Sequence, residues 1–223
     1  MNNKGPNIEL SVIAMVSIVG TFVFAYVAYV LIVDSFPDSV ISIWNTWDTH
    51  HYLNIAKEGY SSSIVDEKHL LIVFFPLYPF LIKIFSLVFQ DHLLSALLVS
   101  NIAYIFAVFY LYKLVHIDFE KEDALRSIIY FSIFPTAYFL HAAYTESLFL
   151  ALTLASFYYA RKDRWALSGV IGMLAAATKI TGIILLPVLV IEYLSQREYK
   201  KKHQKRHIMD FSYSNWLCTV SDP

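Results

Sequence analysis

Long uncharged runs separated by short polar islands set the layout of this chain. Leu10–Val33 carries no charged side chain. It exceeds the ~20 residues a helix needs to cross a hydrocarbon core. It is too long for the apolar centre of a signal peptide, and no small-residue cleavage motif follows. It therefore predicts an uncleaved transmembrane helix. A polar stretch, Asp34–His69, comes next. Leu70–Phe89 is apolar but holds Pro76, Pro79 and Lys83, which predicts a short or kinked span. Leu93–Tyr112 is a second clear candidate, with Asn101 its one strongly polar side chain. A charged connection, Lys113–Arg126, follows.

Ser127–Ala160 is interrupted by His141 and Glu146. As one helix it would run about 50 Å, against a core of about 30 Å. It must turn, and the expected turn lies near Tyr144-Thr145-Glu146. That puts Glu146 at a membrane surface or in a polar cavity. Trp165–Leu194 is broken by Lys179-Ile180-Thr181-Gly182 and by Pro187, so it is one long broken helix or two half-helices. From Gln196 the chain turns basic (REYKKKHQKRH) and shows no further span. The pattern predicts an all-α, polytopic membrane helical bundle of about six to seven membrane segments without an internal repeat. Residues 1–195 form its membrane region and 196–223 a basic cytoplasmic tail.

Composition agrees. The 223 residues are 57% hydrophobic and 16% charged, whereas soluble domains average about 45–50% and 25%. A net charge of −1 gives no general basic field for nucleic acid. Four Trp, 16 Tyr and 17 Phe suit a membrane with wet interfaces. The single cysteine, Cys218, excludes an intramolecular disulfide and a cysteine zinc cluster. His116, His141 and the tail histidines lack metal-ligand spacing. There is no Gly-rich phosphate loop, dinucleotide fingerprint or Asp-x-Asp pair, so a soluble nucleotide donor has no evident site. The positive-inside rule puts ARKDRW and the tail in the cytoplasm. The parity of the broken segments leaves the side of 34–69 open by counting alone; the chemistry below favours the outside.

That loop contains WNTWDTHHYLNIAKEGY. In a helix, Asp48 shares a face with His51, Tyr52 and Ile55, and its carboxylate is a candidate general base. The plainer alternative is that Asp48 caps an interfacial helix and the tryptophans form an aromatic belt. Glu146 and Lys179 sit in apolar runs, where ionisable groups are functional candidates by default. Their plainer readings are a solvated hairpin tip for Glu146, and snorkelling or pairing with a carboxylate for Lys179.

Four blocks in order carry a resemblance. They are Trp47-Asp48-x-x-His51-Tyr52-Leu53-x-Ile55-Ala56-x-x-Gly59-Tyr60; Phe74-Phe75-Pro76-Leu77-Tyr78-Pro79; Phe134-Pro135-Thr136-Ala137-Tyr138-Phe139 leading to Tyr144-Thr145-Glu146-Ser147-Leu148-Phe149; and Ala175-Ala176-Ala177-Thr178-Lys179-x-Thr181-Gly182. Over about residues 40–195 the chain resembles the PIG-V-like (glycosylphosphatidylinositol mannosyltransferase II type) family within the GT-C superfamily. The resemblance implies a GT-C-like membrane glycosyltransferase with its catalytic loop after the first helix, outside the cytoplasm. Its donor would be a polyprenyl-phosphate sugar such as dolichyl-phosphate mannose, its acceptor a lipid or glycan hydroxyl, and its surroundings membrane lipid. The host membrane would be the cell membrane in a prokaryote or the endoplasmic reticulum in a eukaryote. Asp48 takes the family's catalytic acidic position. Trp47, His51, Tyr52, Tyr60, Tyr78, Tyr144, Glu146 and Lys179 become candidate substrate-binding residues. The family usually has arginine where Lys179 stands, so the bidentate fork is lost and the charge kept. No metal ligands are assigned, and a divalent ion is left open as a cofactor. Such enzymes usually continue for further spans, so the chain is expected to be the N-terminal part of one. Two rivals stand beside the enzyme: a non-catalytic subunit that binds lipid-linked sugar, and a small-molecule transporter.

Overall fold

In the computed structural model, residues 6–60, 64–65 and 68–199 are described. Helix α1, Pro6–Val33, has 28 residues and opens on a proline, whose missing N–H costs nothing in a first turn. It stops at Asp34, which takes a left-handed φ of 53° and bonds its N–H to the Val30 carbonyl at 3.1 Å. After a 3₁₀ turn, Ser42–Trp44, comes α2, Thr49–Glu58. Thr49, Tyr52, Ile55 and Ala56 are buried on one face while His50, Asn54, Lys57 and Glu58 face out, the three-to-four periodicity of a helix lying on a core. Gly59 ends it with φ 78° and an N–H bonded to the Ile55 carbonyl at 2.9 Å.

The segment 64–69 forms a small antiparallel ladder, Ile64 opposite His69 and Val65 opposite Lys68. It leads through a 3₁₀ turn, Leu70–Val73, to α3, Leu77–Phe89. Helix α4, His92–Val115, is capped by the Asp91 carboxylate, which accepts from the Leu94 N–H at 2.9 Å. Helix α5, Lys121–Ile133, ends before Pro135; Phe134, as the residue before a proline, is extended (φ −61°, ψ 140°). A 3₁₀ turn, Pro135–Ala137, and the short α6, Tyr138–His141, precede α7, Glu146–Arg161. Helix α8, Trp165–Ala176, breaks into a 3₁₀ turn, Ile180–Ile184, and α9 follows over 185–199.

The helical bundle expected from hydropathy is what forms. Among the described residues, three helices are long and apolar enough to cross a membrane: Ile8–Val33, His92–Val115 and Ile180–Tyr199. The apolar segments Leu77–Phe89 and Trp165–Ala176 fold as shorter helices. Local outcomes refine the reading. The connection expected over 113–126 shrinks, because α4 runs to Val115 and α5 starts at Lys121. The turn in 127–160 begins earlier than Tyr144, at Phe134-Pro135, and α7 starts at Glu146 itself. Of the two options for 165–194, the broken pair of helices forms, with Lys179 in the break. Two compact units divide between Ile183 and Ile184. Residues 200–223 of the expected tail lie outside the described residues.

Within the first unit α4 is central, packed against α1, α3, α5 and α7. Ala96, Ala103, Ala107, Ala151 and Ala155 are buried, and small side chains let membrane helices approach closely. A buried polar knot ties the layers. Asn101 Nδ2 donates to the Leu97 and His141 carbonyls at 2.8 and 3.1 Å. Its Oδ1 is then left to accept from His141 Nδ1 at 3.0 Å, and Nε2 meets the Ser17 hydroxyl at 3.1 Å. His141 is thereby satisfied although fully buried.

Two levels follow along the bundle. At one end Lys121 pairs with Glu9 at 2.9 Å and Arg161 with Asp118 at 2.7 Å. At the other level Trp44 packs on Phe22 with ring centres 4.5 Å apart. From Phe22, α1 rises a further ~16 Å to Val33, so the chain after α1 doubles back along the helix before α2 begins.

Candidate active site

Trp47 sits at φ 49°, a left-handed conformation rare for a bulky residue and costing about 1–3 kcal/mol. Its ring is 66% exposed and stacks on Phe139 at 5.9 Å. This turn presents Asp48 as the first residue of the α2 start. The Asp48 carbonyl takes the His51 and Tyr52 N–H groups at 3.1 and 3.4 Å. Its carboxylate makes no capping bond and is exposed. The cap is backbone alone, and the carboxylate faces outward.

Tyr52 points the other way. It is 9% exposed and meets Phe74 and Tyr78 edge-on at 5.0 and 5.1 Å. Burial pushes its hydroxyl up to about 12, opposed by a hydrogen bond with Thr145 and reinforced by the charges of Glu146 and Asp48. Tyr52 thus feels both acidic candidates. His51 is held below its ordinary value by burial and by His50, against the pull of Asp48. This shift disfavours the charged imidazole.

The blocks are joined pairwise. Tyr144 donates to the Thr46 carbonyl at 3.0 Å, linking the third block to the residue just before the first. Ser100 Oγ donates to the Tyr144 carbonyl at 3.1 Å and lies 2.8 Å from the Tyr78 hydroxyl, bringing in the second. The Leu77 N–H bonds to the Ala177 carbonyl at 3.0 Å, joining second to fourth. Lys179 Nζ lies 2.9 Å from Glu146 Oε1, joining fourth to third. The plainer reading of Lys179, pairing with a carboxylate, is therefore the geometry found. Gly182 makes the break after α8 possible: a Cβ there would lie 2.5–2.6 Å from backbone atoms of Ala175 and Ala176.

Trp47, Asp48, Tyr52, Tyr144, Glu146 and Lys179 belong to one connected cluster, with His51 beside it against Phe74 at 4.9 Å. Tyr78 is different. It is fully buried, and its hydroxyl is used by Ser100 and the Ala96 carbonyl, so it supports Tyr52 from behind. Tyr60 donates to the Phe74 carbonyl, bracing the second block. Sequence reasoning missed Thr46, Thr145 and Ser100; their hydroxyls and carbonyls act through folded contacts that no spacing announces. Glu146 also lines an apolar groove of about 580 Å³ with Phe134, Phe139, Leu140 and Leu150. Among the described residues, no group of three or more His, Cys, Asp or Glu side chains is placed to hold a metal ion.

The family model for dolichyl-phosphate-mannose-protein mannosyltransferase matches residues 75–214. The match begins after the Trp47–Tyr60 block. No curated protein and no solved structure matches the chain.

Proposed function

Because the chain belongs to the dolichyl-phosphate-mannose-protein mannosyltransferase family, a family of membrane glycosyltransferases, we propose that it transfers a sugar, mannose first among candidates, from a polyprenyl-phosphate donor to a hydroxyl of a lipid or glycan acceptor. Within the GT-C superfamily, the four ordered blocks favour the PIG-V-like type. Asp48 takes the proton of the acceptor hydroxyl. The acceptor oxygen attacks the anomeric carbon and forms the new C–O bond. The bond from that carbon to the phosphate oxygen breaks, its electron pair leaves with the polyprenyl phosphate, and in-line displacement inverts the anomeric centre. Lys179 answers the charge that builds on the phosphate. Lys179 is favoured over His51 for this role, because burial and His50 lower the His51 pKa.

One observation carries this reading. Asp48, whose exposed carboxylate makes no capping bond, and Glu146, which pairs with Lys179, both act on the Tyr52 hydroxyl. The basic ARKDRW turn belongs to the end marked by Arg161 and Asp118. By the positive-inside rule that end is cytoplasmic, which favours an extracytoplasmic site.

The test is transfer of labelled sugar from polyprenyl-phosphate donors by membranes containing the chain. Transfer with inversion is expected. Folded protein that binds the donor and never transfers would replace the enzyme with the binding-subunit reading.

A further inference from the structure

We propose that Glu146 is an exchangeable counter-ion that competes with the donor's phosphate for Lys179, so that donor binding opens the Glu146–Lys179 pair and its re-closure expels the polyprenyl-phosphate product. This rests on the functional reading above and assigns Glu146 a regulatory role within that site.

The backbone at Lys179 is fixed. Its N–H bonds to the Ala175 carbonyl at 3.2 Å, and its carbonyl accepts from the Gly182 N–H at 2.8 Å. Gly182 sits directly on the Ala175–Ala176 backbone. The ammonium is therefore delivered to one place by a flexible stem on a rigid base. There it meets Glu146 at 2.9 Å, with the two side chains 41% and 34% exposed. Ion pairs with this much solvent contact are weak and readily exchanged; a dry pair would resist opening. Glu146 is also the first residue of α7, where the helix dipole favours a carboxylate with or without a partner. Its charge is therefore not stranded when Lys179 turns to another anion.

Position completes the argument. Glu146 lines the apolar groove beside Phe134, Phe139, Leu140 and Leu150. An isoprenoid chain in that groove would bring its phosphate against the carboxylate. Two anions cannot share that corner favourably while one cation serves both, so the phosphate gains Lys179 as Glu146 loses it. After transfer the carboxylate, tethered at high local concentration, retakes the ammonium.

The experiment measures binding of undecaprenyl monophosphate to the full chain in lipid nanodiscs, with the uncharged alcohol undecaprenol as control. Wild type should prefer the phosphate. Glu146→Gln should bind the phosphate roughly three- to tenfold tighter, because a weak exposed competitor is removed, with undecaprenol unchanged. Lys179→Gln should lose the preference, and the double variant should match Lys179→Gln. Glu146→Asp keeps the helix-start charge with a shorter reach and should give an intermediate gain; it also serves if Glu146→Gln does not fold. Tighter phosphate binding in these variants supports the exchange. Equal or weaker binding by Glu146→Gln and Glu146→Asp, with wild type still preferring phosphate, overturns the exchange and leaves the donor reading intact. Equal binding of phosphate and alcohol by wild type overturns the donor reading itself.

Discussion

The Tyr144 hydroxyl donates to the Thr46 carbonyl at 3.0 Å across 98 residues of sequence. This bond helps tie the loop that carries Asp48 to the hairpin that carries Glu146. Tyr144 is 6% exposed, so removing its hydroxyl leaves the Thr46 carbonyl without that donor. Tyr144→Phe should cost about 0.5–1.5 kcal/mol of local stability. Hydrogen exchange should quicken over 44–58 and leave α4 unchanged, and sugar transfer should fall several-fold. Unchanged exchange in that segment would show that the loop is held by its other contacts, the Trp47–Phe139 stacking among them.

Gly182 is a packing requirement of a different kind. A methyl group there would lie 2.5 Å from the Ala176 nitrogen and 2.6 Å from the Ala175 carbonyl atoms. Because those atoms are backbone, the strand of chain after Lys179 must move. Gly182→Ala should destabilise the protein by roughly 1–3 kcal/mol and displace Lys179. Thermal melting in detergent should drop by several degrees, with transfer falling further than in Tyr144→Phe. Wild-type melting would mean the break after α8 relaxes freely.

The long spans were legible because lipid solvates no backbone or charge, which forces uncharged helices of about 20 residues. The break at Lys179-Ile180-Thr181-Gly182 was legible for the same reason. Phe134-Pro135 also announced its bend through the restriction on the residue before proline, yet the later polar group at Tyr144-Thr145-Glu146 drew the expected turn towards itself. Partners were less legible. Lys179 was expected to snorkel or to find a carboxylate, but nothing in the chain says that the carboxylate is Glu146, 33 residues away. Asn101 and His141 stood out as polar residues in apolar runs; their bond to each other and to Ser17 depends on three helices meeting at one depth. The outward carboxylate of Asp48 was equally hidden, since its residue type suits a cap as well as a base.

Alkaline pH probes Tyr52. Its hydroxyl is raised to about 12 in the fold, against about 10 in an unfolded chain. A raised folded value contributes stability that is complete below pH ~10 and is lost as pH climbs through about 12. Wild type should therefore lose stability across that window more steeply than Tyr52→Phe, which has no proton there. Parallel curves for the two proteins in denaturant titrations would mean the Tyr52 hydroxyl is not insulated from water.

Topology is open to chemical labelling in a Cys218→Ser background. Lys57 on α2 and Arg164 beside the basic turn are both exposed. If the Asp48 loop faces outward, Lys57→Cys should react with a membrane-impermeant thiol reagent in intact cells. Arg164→Cys should react only after permeabilisation. The reverse pattern would place the Asp48 loop in the cytoplasm and remove the main support for a donor delivered from the outer leaflet.

Asp48 gives the sharpest test of the chemistry. Its carboxylate makes no bond to the α2 N–H groups, so Asp48→Asn removes no cap, and asparagine caps as well as aspartate in any case. Melting and helix content should stay at wild-type values. If Asp48 accepts the acceptor's proton, transfer should fall roughly 10²–10⁴-fold. Asp48→Glu keeps the base but moves it by a methylene; because geometry governs proton transfer at this range, it should recover little. Trp47 holds its strained turn through its stacking on Phe139, so Trp47→Ala should lower transfer by misaiming the same carboxylate while leaving its basicity in place. A folded Asp48→Asn protein with near-normal transfer would return this turn to a membrane-surface anchor.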